Sequence, residues 1–322
     1  MNEFELIARF FRRVPHNADI RVGVGDDGAV IAPTPGVDYV VSVDMLVEGR
    51  HFTATADPAR LGHKTLAVNL SDLAAMGALP RFVLLAGALP DADTTWIGAF
   101  MRGFDALALQ YDVELLGGDT TRGPRNLCVT AIGELPAGSA LTRAGARPGD
   151  TIYVSGVLGD AALALAAMRG RTGVRRDALP ALTTRLDAPE PRVALGGALR
   201  GVATAAVDLS DGLVGDLGHI LAASGVGATL DLPAIPRSAA LQEKLAGSER
   251  DLALACLLAG GDDYELCFTA APAMQPRIAA IAQALALPLV PVGIVIDGTG
   301  LEVRDELRRP LASPPRAYDH FG

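Results

Sequence analysis

Aspartates that stand beside glycine, serine or threonine recur along this chain and could bind a hard cation such as Mg²⁺. The first group is an acidic loop at residues 23–30, where Asp26 and Asp27 lie among glycines and precede an apolar run. Asp and Gly are poor strand formers, so this loop is predicted to be tight and to enter a buried strand. Similar groups surround Ser42 and Asp44, Ser71 and Asp72, Asp119, Asp208, Ser210 and Asp211, and Asp262.

A single Gly-Asp turn is more often a solvated hairpin than a metal site, and only its repetition indicates that carboxylates are collected at one place. Carboxylates that converge raise each other's pKa and oppose folding unless cations are present. Mg²⁺ takes oxygen ligands and commonly binds through carboxylates and substrate phosphates. The pattern therefore predicts phosphoryl transfer at a magnesium site, with Arg143 available to meet the negative oxygens.

The charge and the missing motifs exclude several other classes of function. The 322-residue chain carries a formal net charge of −9, which argues against nucleic acid or an anionic membrane as a partner. Lys64 and Lys244 are the only lysines, and no lysine-bearing P-loop occurs. The Rossmann spacing is incomplete after Gly23 and Gly25, and the sequence has no zinc motif and no nucleophile elbow.

The cysteines and the apolar stretches indicate the cellular compartment in which the protein is expected. Cys128, Cys256 and Cys267 are scattered without a Cys-x-x-Cys spacing, which indicates core thiols in a reducing compartment. The first residues show no secretory signal. Two prolines break the apolar stretch at residues 278–296, which favours a buried helix followed by a strand over a membrane span. A cytoplasmic protein is therefore expected.

Hydrophobic spacing predicts the elements that place the acids of the first half. A run of β-branched residues predicts a strand that ends on Asp44. Residues 58–76 predict a helix, on which Thr65, Asn69 and Asp72 share one face. Short polar side chains on such a face indicate either a polar cavity or an ordinary solvated surface.

The same approach predicts how the second group of acids is placed. Residues 113–116 predict a strand that runs into residues 117–120, where bare glycine amides and a carboxylate suit phosphate together with metal. Turn-rich sequence after residue 140 predicts a domain boundary. Beyond it, a predicted strand leads into Asp208, and residues 171–189 predict a polar connection. Strands separated by helices indicate an α/β or α+β protein.

These motifs resemble those of the thiamine-monophosphate kinases, in the same order and over nearly the whole chain. Each motif alone is unspecific, whereas the combination is specific. The matching motifs are Gly25-Asp26-Asp27, Ser42-Val43-Asp44, His51-Phe52, Ala67-Val68-Asn69-Leu70-Ser71-Asp72-Leu73-Ala74-Ala75-Met76-Gly77, Gly117-Gly118-Asp119-Thr120, Leu141-Thr142-Arg143, Asp208-Leu209-Ser210-Asp211-Gly212, Asp263-Tyr264-Glu265-Leu266 and Tyr318-Asp319-His320-Phe321.

The resemblance implies ATP-dependent phosphorylation of thiamine monophosphate to thiamine diphosphate by direct transfer, with several Mg²⁺ ions as cofactors. It also implies a homodimer of the two-domain aminoimidazole ribonucleotide synthetase-like fold, whose class is α/β (α+β). Residues 1–140 would form an N-terminal domain that binds ATP and magnesium and pairs through its sheet across the dimer. Residues 141–322 would form a C-terminal α/β domain that completes the cleft.

The same resemblance assigns roles by position. It implies that the metal ligands are Asp27, Ser42, Val43, Asp44, Asp72, Asp119, Asp208 and Asp211. It implies that ATP contacts Gly118, Asp119, Arg143 and Ser210. It implies that the thiamine substrate contacts His51, Asp262 and Tyr318. The family usually has Thr where Val43 stands, so a role there must be through the main chain, and it usually has Glu where the shorter Asp262 stands.

Other classes of function remain open on sequence alone. A selenophosphate synthetase on the same fold would resemble a pattern with an N-terminal Cys or selenocysteine beside a lysine, and neither Cys nor Lys precedes Gly25. A purine-pathway ligase of this fold is a further alternative. A metal-dependent phosphohydrolase would be expected to carry metal-binding histidines among its aspartates, but of the five histidines only His51 lies near the aspartate groups described at the outset. A non-catalytic nucleotide sensor is the remaining alternative.

Overall fold

The structure is a computed structural model that describes residues 3–24 and 27–311. The chain divides into two compact units, an N-terminal unit of residues Met1–Leu73 and Ala78–Gly138 and a C-terminal unit of residues Ala74–Gly77 and Ser139–Gly322. Within the described residues, none of the helices combines the length and the apolar character that a membrane crossing requires. The roles expected for the two domains stay predictions at this point.

The N-terminal unit is built on a four-stranded mixed sheet. Its elements in chain order are α1 (Glu3–Leu6), β1 (Ile20–Val22), β2 (Val30–Ile31), β3 (Val37–Val47), α2 (Pro58–Ala75), β4 (Leu79–Leu89), α3 (Thr94–Gln110), β5 (Glu114–Arg122) and β6 (Asn126–Pro136). A π-helical turn, Ile7–Phe11, continues α1. The strand order is β3-β6-β4-β5, in which β6 is antiparallel to β3 and β4, and β4 is parallel to β5.

Alternation along β3 gives this sheet two different faces. Ser42 and Asp44 lie on the face of their buried β6 partners, Ala131 and Val129. Side chains at the intervening positions of β3 point to the opposite face and are apolar. Their exposed fractions are 38% for Tyr39, 62% for Val41, 59% for Val43 and 51% for Met45.

The β1–β2 hairpin covers only a part of that outer face. Ile20 and Ile31 of the hairpin belong to a small apolar cluster with Phe82 of β4. The prediction that the acidic loop leads into a buried strand is wrong, because β2 has two residues and Val30 is 51% exposed. A two-residue strand in a hairpin is too short to be buried by neighbours on both sides.

The C-terminal unit surrounds a six-stranded sheet with a large apolar core. Its elements in chain order are β7 (Thr151–Ser155), α4 (Asp160–Met168), α5 (Leu179–Asp187), α6 (Val193–Leu199), β8 (Ala205–Asp208), α7 (Leu213–Ser224), β9 (Gly227–Asp231), α8 (Ala239–Ala246), α9 (Arg250–Ala259), β10 (Leu266–Ala270), α10 (Gln275–Leu285), β11 (Leu289–Ile296) and β12 (Gly300–Arg304). The strand order is β12-β9-β11-β7-β10-β8, and all pairs are antiparallel except β12 with β9.

Two segments differ from their predicted local structure. Residues 117–120 were expected to follow a strand, but they lie inside β5, where they pair with residues 84–87 of β4. Residues 171–189 were expected to form a polar connection, but they contain α5. In α5 only Leu182 and Leu186 are buried, so the apolar signal of this helix is weak in the sequence. The helix and strand predicted at residues 278–296 are confirmed as α10 and β11.

Helices α2 and α3 approach each other closely at two glycines. A Cβ atom at Gly103 would lie 1.7 Å from the carbonyl oxygen of Ala59, and a Cβ at Gly62 would lie 1.9 Å from that of Phe100. Both obstacles are main-chain atoms, so rotating a side chain does not relieve them. The low helix propensity of glycine is accepted here because it allows the two helices to pack.

We expect Gly103→Ala to lower the free energy of unfolding by about 1 to 3 kcal/mol, because the two helices must separate to admit the methyl group. Gly218→Ala on α7 is the control, since a Cβ atom there meets nothing within 4 Å. That control is expected to raise the free energy of unfolding by up to about 1 kcal/mol through helix propensity. Urea titrations followed by circular dichroism measure the free energy of unfolding of both variants. A Gly103→Ala variant as stable as the wild type would contradict the close packing of α2 against α3.

Candidate active site

Strand β3 and helix α2 bring three predicted metal ligands close together. The Ser42 hydroxyl donates a hydrogen bond to the Asp72 carboxylate of α2. The main-chain N–H of Asp44, two residues along β3, donates to Oδ1 of Asn69 on the same helix at 3.0 Å. Hydroxyl and carboxylate oxygens are the only side-chain ligands predicted here, and an all-oxygen set fits Mg²⁺ rather than a softer metal.

Asn69 holds this part of the site together, a role that was not predicted from the sequence. The side chain is fully buried, and its Nδ2 donates to the carbonyl oxygen of Thr65 at 3.0 Å. The Thr65 hydroxyl donates to the carbonyl oxygen of Leu61 at 2.7 Å. Thr65 and Asn69 on the polar face of α2 are therefore packed in the interior, neither lining a cavity nor solvated. Of the three residues predicted to share this face, only Asp72 is partly exposed.

The glycine pair of β5 lies at the far edge of the same sheet. Gly118 pairs with Leu85, Leu85 with Val129, and Val129 with Asp44, so these residues form one row across the four strands. Three strand spacings separate the main chains of Asp44 and Gly118, or about 14 Å. Asp119 is exposed beside Gly118. Across residues 3–24 and 27–311, no group of three or more His, Cys, Asp or Glu side chains that could hold a metal ion is found.

Gly118 also has a packing role that is independent of any ligand. A Cβ atom at this position would lie 1.8 Å from the carbonyl oxygen of Leu85 on the neighbouring strand. Only glycine allows β4 and β5 to pair this closely. A larger residue at this position would therefore disturb the sheet as well as any phosphate contact.

His51 lies in a turn that fixes the state of its ring. Its Nδ1 accepts a hydrogen bond from the main-chain N–H of Val47 at 3.0 Å, and its own main-chain N–H donates to the Val47 carbonyl at 3.0 Å. A neutral ring that accepts at Nδ1 carries its proton at Nε2. Nε2 is therefore a hydrogen-bond donor, which suits an anionic substrate group.

Two predicted site positions lie at the limits of the described residues. Asp27 is described and exposed, whereas Gly25 and Asp26 before it lie outside the described residues. Tyr318 also lies outside them. Their expected contacts with metal or substrate stay predictions.

In the C-terminal unit, the loop between β8 and α7 carries three of the predicted residues. Asp208 ends β8 and is buried, and Ser210 and Asp211 follow it in the loop. Oδ2 of Asp216, in the first turns of α7, accepts hydrogen bonds from the main-chain N–H groups of Asp211 and Gly212, both at 3.0 Å. The carboxylate of Asp216 thus holds the end of the loop against the helix.

Asp216 is a buried carboxyl group whose charged form is disfavoured. Burial raises its pKa to about 7, and the nearby charge of Asp211 acts in the same direction. The two main-chain hydrogen bonds and the positive charge of Arg143 oppose this shift. Arg143, the predicted ATP-contacting arginine, is thus close enough to Asp216 for its charge to act on this carboxyl group.

A second loop, at residues 260–264, lies directly against the first. The main-chain N–H of Asp262 donates to the carbonyl oxygen of Ser210 at 2.9 Å, and that of Tyr264 donates to Leu209 at 2.9 Å. A Cβ atom at Gly261 would lie 2.3 Å from the Ser210 carbonyl oxygen, so glycine is needed for this approach. The structure therefore places the predicted substrate residue Asp262 next to the predicted ATP residue Ser210.

The second loop has an unusual backbone at two positions. Asp262 and Tyr264 have φ angles of 69° and 49°, in the left-handed region. Asp tolerates this region, whereas for a bulky residue such as Tyr it is uncommon and carries strain. Strain of this kind persists where the surroundings determine the conformation, and it is frequent at functional sites.

Two buried acids to which no role was assigned from the sequence provide those surroundings. Glu265 is fully buried and accepts hydrogen bonds from Arg185 at 2.6 Å, from Arg192 at 2.6 and 2.7 Å, and from the Ser155 hydroxyl at 2.6 Å. Asp263 accepts from the main-chain N–H of Gly159 through both oxygens, at 2.9 and 3.0 Å. Both residues belong to the Asp263-Tyr264-Glu265-Leu266 motif of the family resemblance, but that motif did not reveal these distant partners.

Comparison with known proteins identifies the family of this chain. Two family models match the chain, the N-terminal domain of AIR synthase related proteins over residues 25–135 and the C-terminal domain over residues 147–306. The thiamine-monophosphate kinase of Salmonella typhimurium (strain LT2) is 45% identical over 323 residues, which cover 99% of this chain and 98% of that protein. The chain belongs to the thiamine-monophosphate kinase family.

Solved structures of thiamine-monophosphate kinases have the same fold. The enzyme from Stenotrophomonas maltophilia K279a is 48% identical with a TM-score of 0.83, over 93% of this chain and 94% of that one. AaThiL complexed with AMPPCP and TMP is 28% identical with a TM-score of 0.78, over 92% of each chain. The family resemblance and the two-domain α+β fold expected from the sequence are confirmed.

Within this thiamine-monophosphate kinase fold, each unit contributes its own group of predicted residues. The N-terminal unit joins Ser42 to Asp72 with Asp44 beside them, and it holds Asp119 at the other edge of the sheet. The C-terminal unit gathers Arg143, Asp208, Ser210, Asp211 and Asp262 around two adjoining loops. The ligands that these residues bind stay predictions.

Because the carboxyl group of Asp263 is buried, we expect the free energy of unfolding to depend on pH. Burial raises its pKa well above the usual range, against the hydrogen bond from Gly159 and the charge of Arg185. In the unfolded chain the carboxyl group loses its proton near pH 4, whereas the native state keeps it to higher pH. The native state therefore binds more protons in this window, and the free energy of unfolding falls as the pH rises through it, by at most about 1.4 kcal/mol per pH unit.

Asp263→Asn removes the titrating group, so we expect its stability to improve relative to the wild type as the pH rises from about 4. Denaturant titrations at a series of pH values measure the difference. Asp297→Asn, at an exposed turn, controls for the loss of one surface carboxyl group. A difference between Asp263→Asn and wild type that stays constant over the whole pH range would contradict the prediction.

Proposed function

We propose that this protein transfers the γ-phosphoryl group of ATP to thiamine monophosphate and forms thiamine diphosphate and ADP. The observation that carries the proposal is the similarity to thiamine-monophosphate kinases over almost the entire chain. AaThiL, which has the same fold, has been solved with AMPPCP and TMP, a nucleotide analogue and the phosphate acceptor. The oxygen-rich side chains of both units suit such a reaction.

The transfer is direct. A phosphate oxygen of thiamine monophosphate attacks the γ-phosphorus of ATP, the bond from that phosphorus to the bridging oxygen breaks, and ADP leaves with its electron pair. The attacking phosphate is already anionic at neutral pH, so the protein needs neither a covalent nucleophile nor a strong base. Its residues instead hold the two phosphates in line and balance their charge.

Each proposed contact uses chemistry that the residue possesses. Nε2 of His51 is a donor and would bind an anionic group of thiamine monophosphate. Asp262 and Tyr318 would contact other parts of the same substrate. The Arg143 guanidinium would bind phosphate oxygens of ATP, because it is always charged and has five N–H donors. Gly118, Asp119 and Ser210 would complete the ATP contacts.

Magnesium is part of the proposal, because the candidate ligands are all oxygens. Those of the N-terminal unit are Asp27, Ser42, Asp44, Asp72, Asp119 and the main chain of Val43. Those of the C-terminal unit are Asp208 and Asp211. When bound, the metal supplies positive charge that neutralises the phosphate oxygens. The free cysteines Cys128, Cys256 and Cys267 agree with the cytoplasmic location that we also propose.

The apolar outer face of β3 supports a homodimer. Val41, Val43 and Met45 are more than half exposed in a single row, although a strand face of this composition is normally covered. The strand is eleven residues long and lies at the edge of its sheet. Long apolar edge strands are usually covered or paired in stable proteins. We propose that a second copy of the chain covers this face, in the sheet pairing that the family resemblance implies.

Val41→Lys places a charge in the middle of that face, and we expect it to convert a dimer into a monomer in analytical ultracentrifugation. The control is Val14→Lys, which adds the same charge at a residue that is 93% exposed. Val14→Lys should leave the sedimentation of the wild type unchanged. A Val41→Lys protein that stays dimeric at micromolar concentration would contradict the proposed interface.

Purified protein with ATP, Mg²⁺ and thiamine monophosphate should form thiamine diphosphate, which chromatography detects directly. We expect Asp44→Asn and Asp119→Asn to lower the rate by at least about 100-fold, because each variant removes a charged oxygen that the metal and phosphates require. Circular dichroism should show that both variants keep the fold. Asp297→Asn, on an exposed turn, is the control and should keep the rate of the wild type.

The same assay separates the alternatives. ADP formed without the thiamine acceptor would favour a phosphohydrolase, and nucleotide binding without any turnover would favour a sensor. Selenide as the preferred acceptor would favour a selenophosphate synthetase. Near-normal rates in both Asp44→Asn and Asp119→Asn would show that the proposed metal ligands are wrong even if thiamine diphosphate is formed.

A further inference from the structure

We propose that Asp216 is a positioning residue that holds the Asp208–Gly212 loop in the shape that binds the magnesium-nucleotide complex. The inference rests on the proposed function and adds a residue that contacts neither substrate nor metal. It starts from one oxygen atom, Oδ2 of Asp216, which accepts hydrogen bonds from the N–H groups of Asp211 and Gly212 at 3.0 Å each.

The contact lies where α7 begins. Gly212 precedes the helix as its N-cap residue, and glycine has no side chain to accept the free N–H groups of the first turn. Gly212 has a φ of 107°, and a Cβ atom there would lie 2.7 Å from main-chain atoms of Ala259, so a capping Ser or Asp does not fit. Asp216 does not replace that cap, but it reaches back from inside the helix and accepts from the N–H groups of Asp211 and Gly212, which precede the first turn.

The hydrogen bonds divide the loop into two parts. Leu209 donates to the Glu265 carbonyl at 2.8 Å, and the Ser210 carbonyl accepts from Asp262 at 2.9 Å, so the first part is tied to the neighbouring loop. Asp211 and Gly212 are tied to Asp216 instead. Asp216 therefore fixes the main chain of Asp211 after it leaves the sheet. In this way it also sets the direction of the Asp211 side chain, the proposed metal ligand.

Asp216 is 3% exposed, so its two hydrogen bonds to the loop are shielded from water. Any oxygen acceptor of similar shape at this position is expected to hold the same two N–H groups.

The test compares Asp216→Asn, which keeps an oxygen acceptor, with Asp216→Leu, which has similar size and no acceptor. Asp150 provides the matched control in the same unit. It is also a buried aspartate on a turn, and its Oδ2 accepts from the Arg147 N–H at 3.0 Å and from the Thr204 hydroxyl at 2.7 Å. Asp150→Leu removes a comparable pair of hydrogen bonds outside the proposed site.

Binding of AMPPCP with Mg²⁺ is measured by calorimetry, without turnover, beside melting temperature and the kinetic constants. We expect Asp216→Leu to weaken binding about 10- to 100-fold and to raise the KM for ATP similarly. Asp216→Asn should recover binding to within a few-fold of wild type. Asp150→Leu should lower the melting temperature but leave the dissociation constant within about twofold of the wild type.

The inference would be overturned if Asp216→Leu lost stability to the same extent as Asp150→Leu but bound nucleotide as tightly as the wild type. If the Leu variant does not fold, Asp216→Ala decides, because it removes the acceptor without adding bulk. A wild-type protein that binds AMPPCP and Mg²⁺ but does not phosphorylate thiamine monophosphate would contradict the proposed function instead, and the binding comparison would still test Asp216.

Discussion

Repulsion between carboxylates is the constraint on which the rest of the structure depends. The protein contains many acids beside its candidate site, and the structure shows hydrogen-bond donors for several of the buried or partly buried ones. Asp72 accepts from the Ser42 hydroxyl, Asp216 from two main-chain N–H groups, and Asp263 from the N–H of Gly159. A buried carboxylate without such partners would cost several kcal/mol. The fold is therefore arranged to supply main-chain donors at the loops that carry the acids.

The buried acids of the C-terminal unit are compensated to different degrees. Glu265 faces the guanidinium groups of Arg185 and Arg192 and the Ser155 hydroxyl, so its charge is balanced and it anchors the loop firmly. Asp216 and Asp263 accept only from main-chain groups in the contacts described above, and burial raises the pKa of both. Glu265, whose charge is balanced, therefore lies behind the loops. Asp216 and Asp263, whose charges are only partly balanced, hold the loops themselves. This distribution is typical of a site that trades stability for function.

The sequence predicted those parts of the fold and site that local signals determine. The acidic motifs, the α2 helix and the β3 strand have clear periodicity and short spacings, and they were predicted near their observed places. The continuation of β5 through Gly117 and Gly118 was not predicted, because pairing with β4 overrides the low strand propensity of glycine. Partners such as Ser155 and Glu265 are 110 residues apart, and a single sequence contains no signal that joins them.

Strand β3 connects the candidate site with the proposed dimer through its pleat. Its pairing with β6 is continuous from Val37 opposite Pro136 to Val47 opposite Asn126, without a bulge. Ser42 and Asp44 therefore face α2, while Val41, Val43 and Met45 face outward. A shift of one residue would exchange the two faces, burying the apolar set against α2 and moving the oxygen ligands to the surface. One register therefore fixes both features, and any event that changes the pairing of β3 and β6 must affect the proposed metal ligands and the proposed interface together.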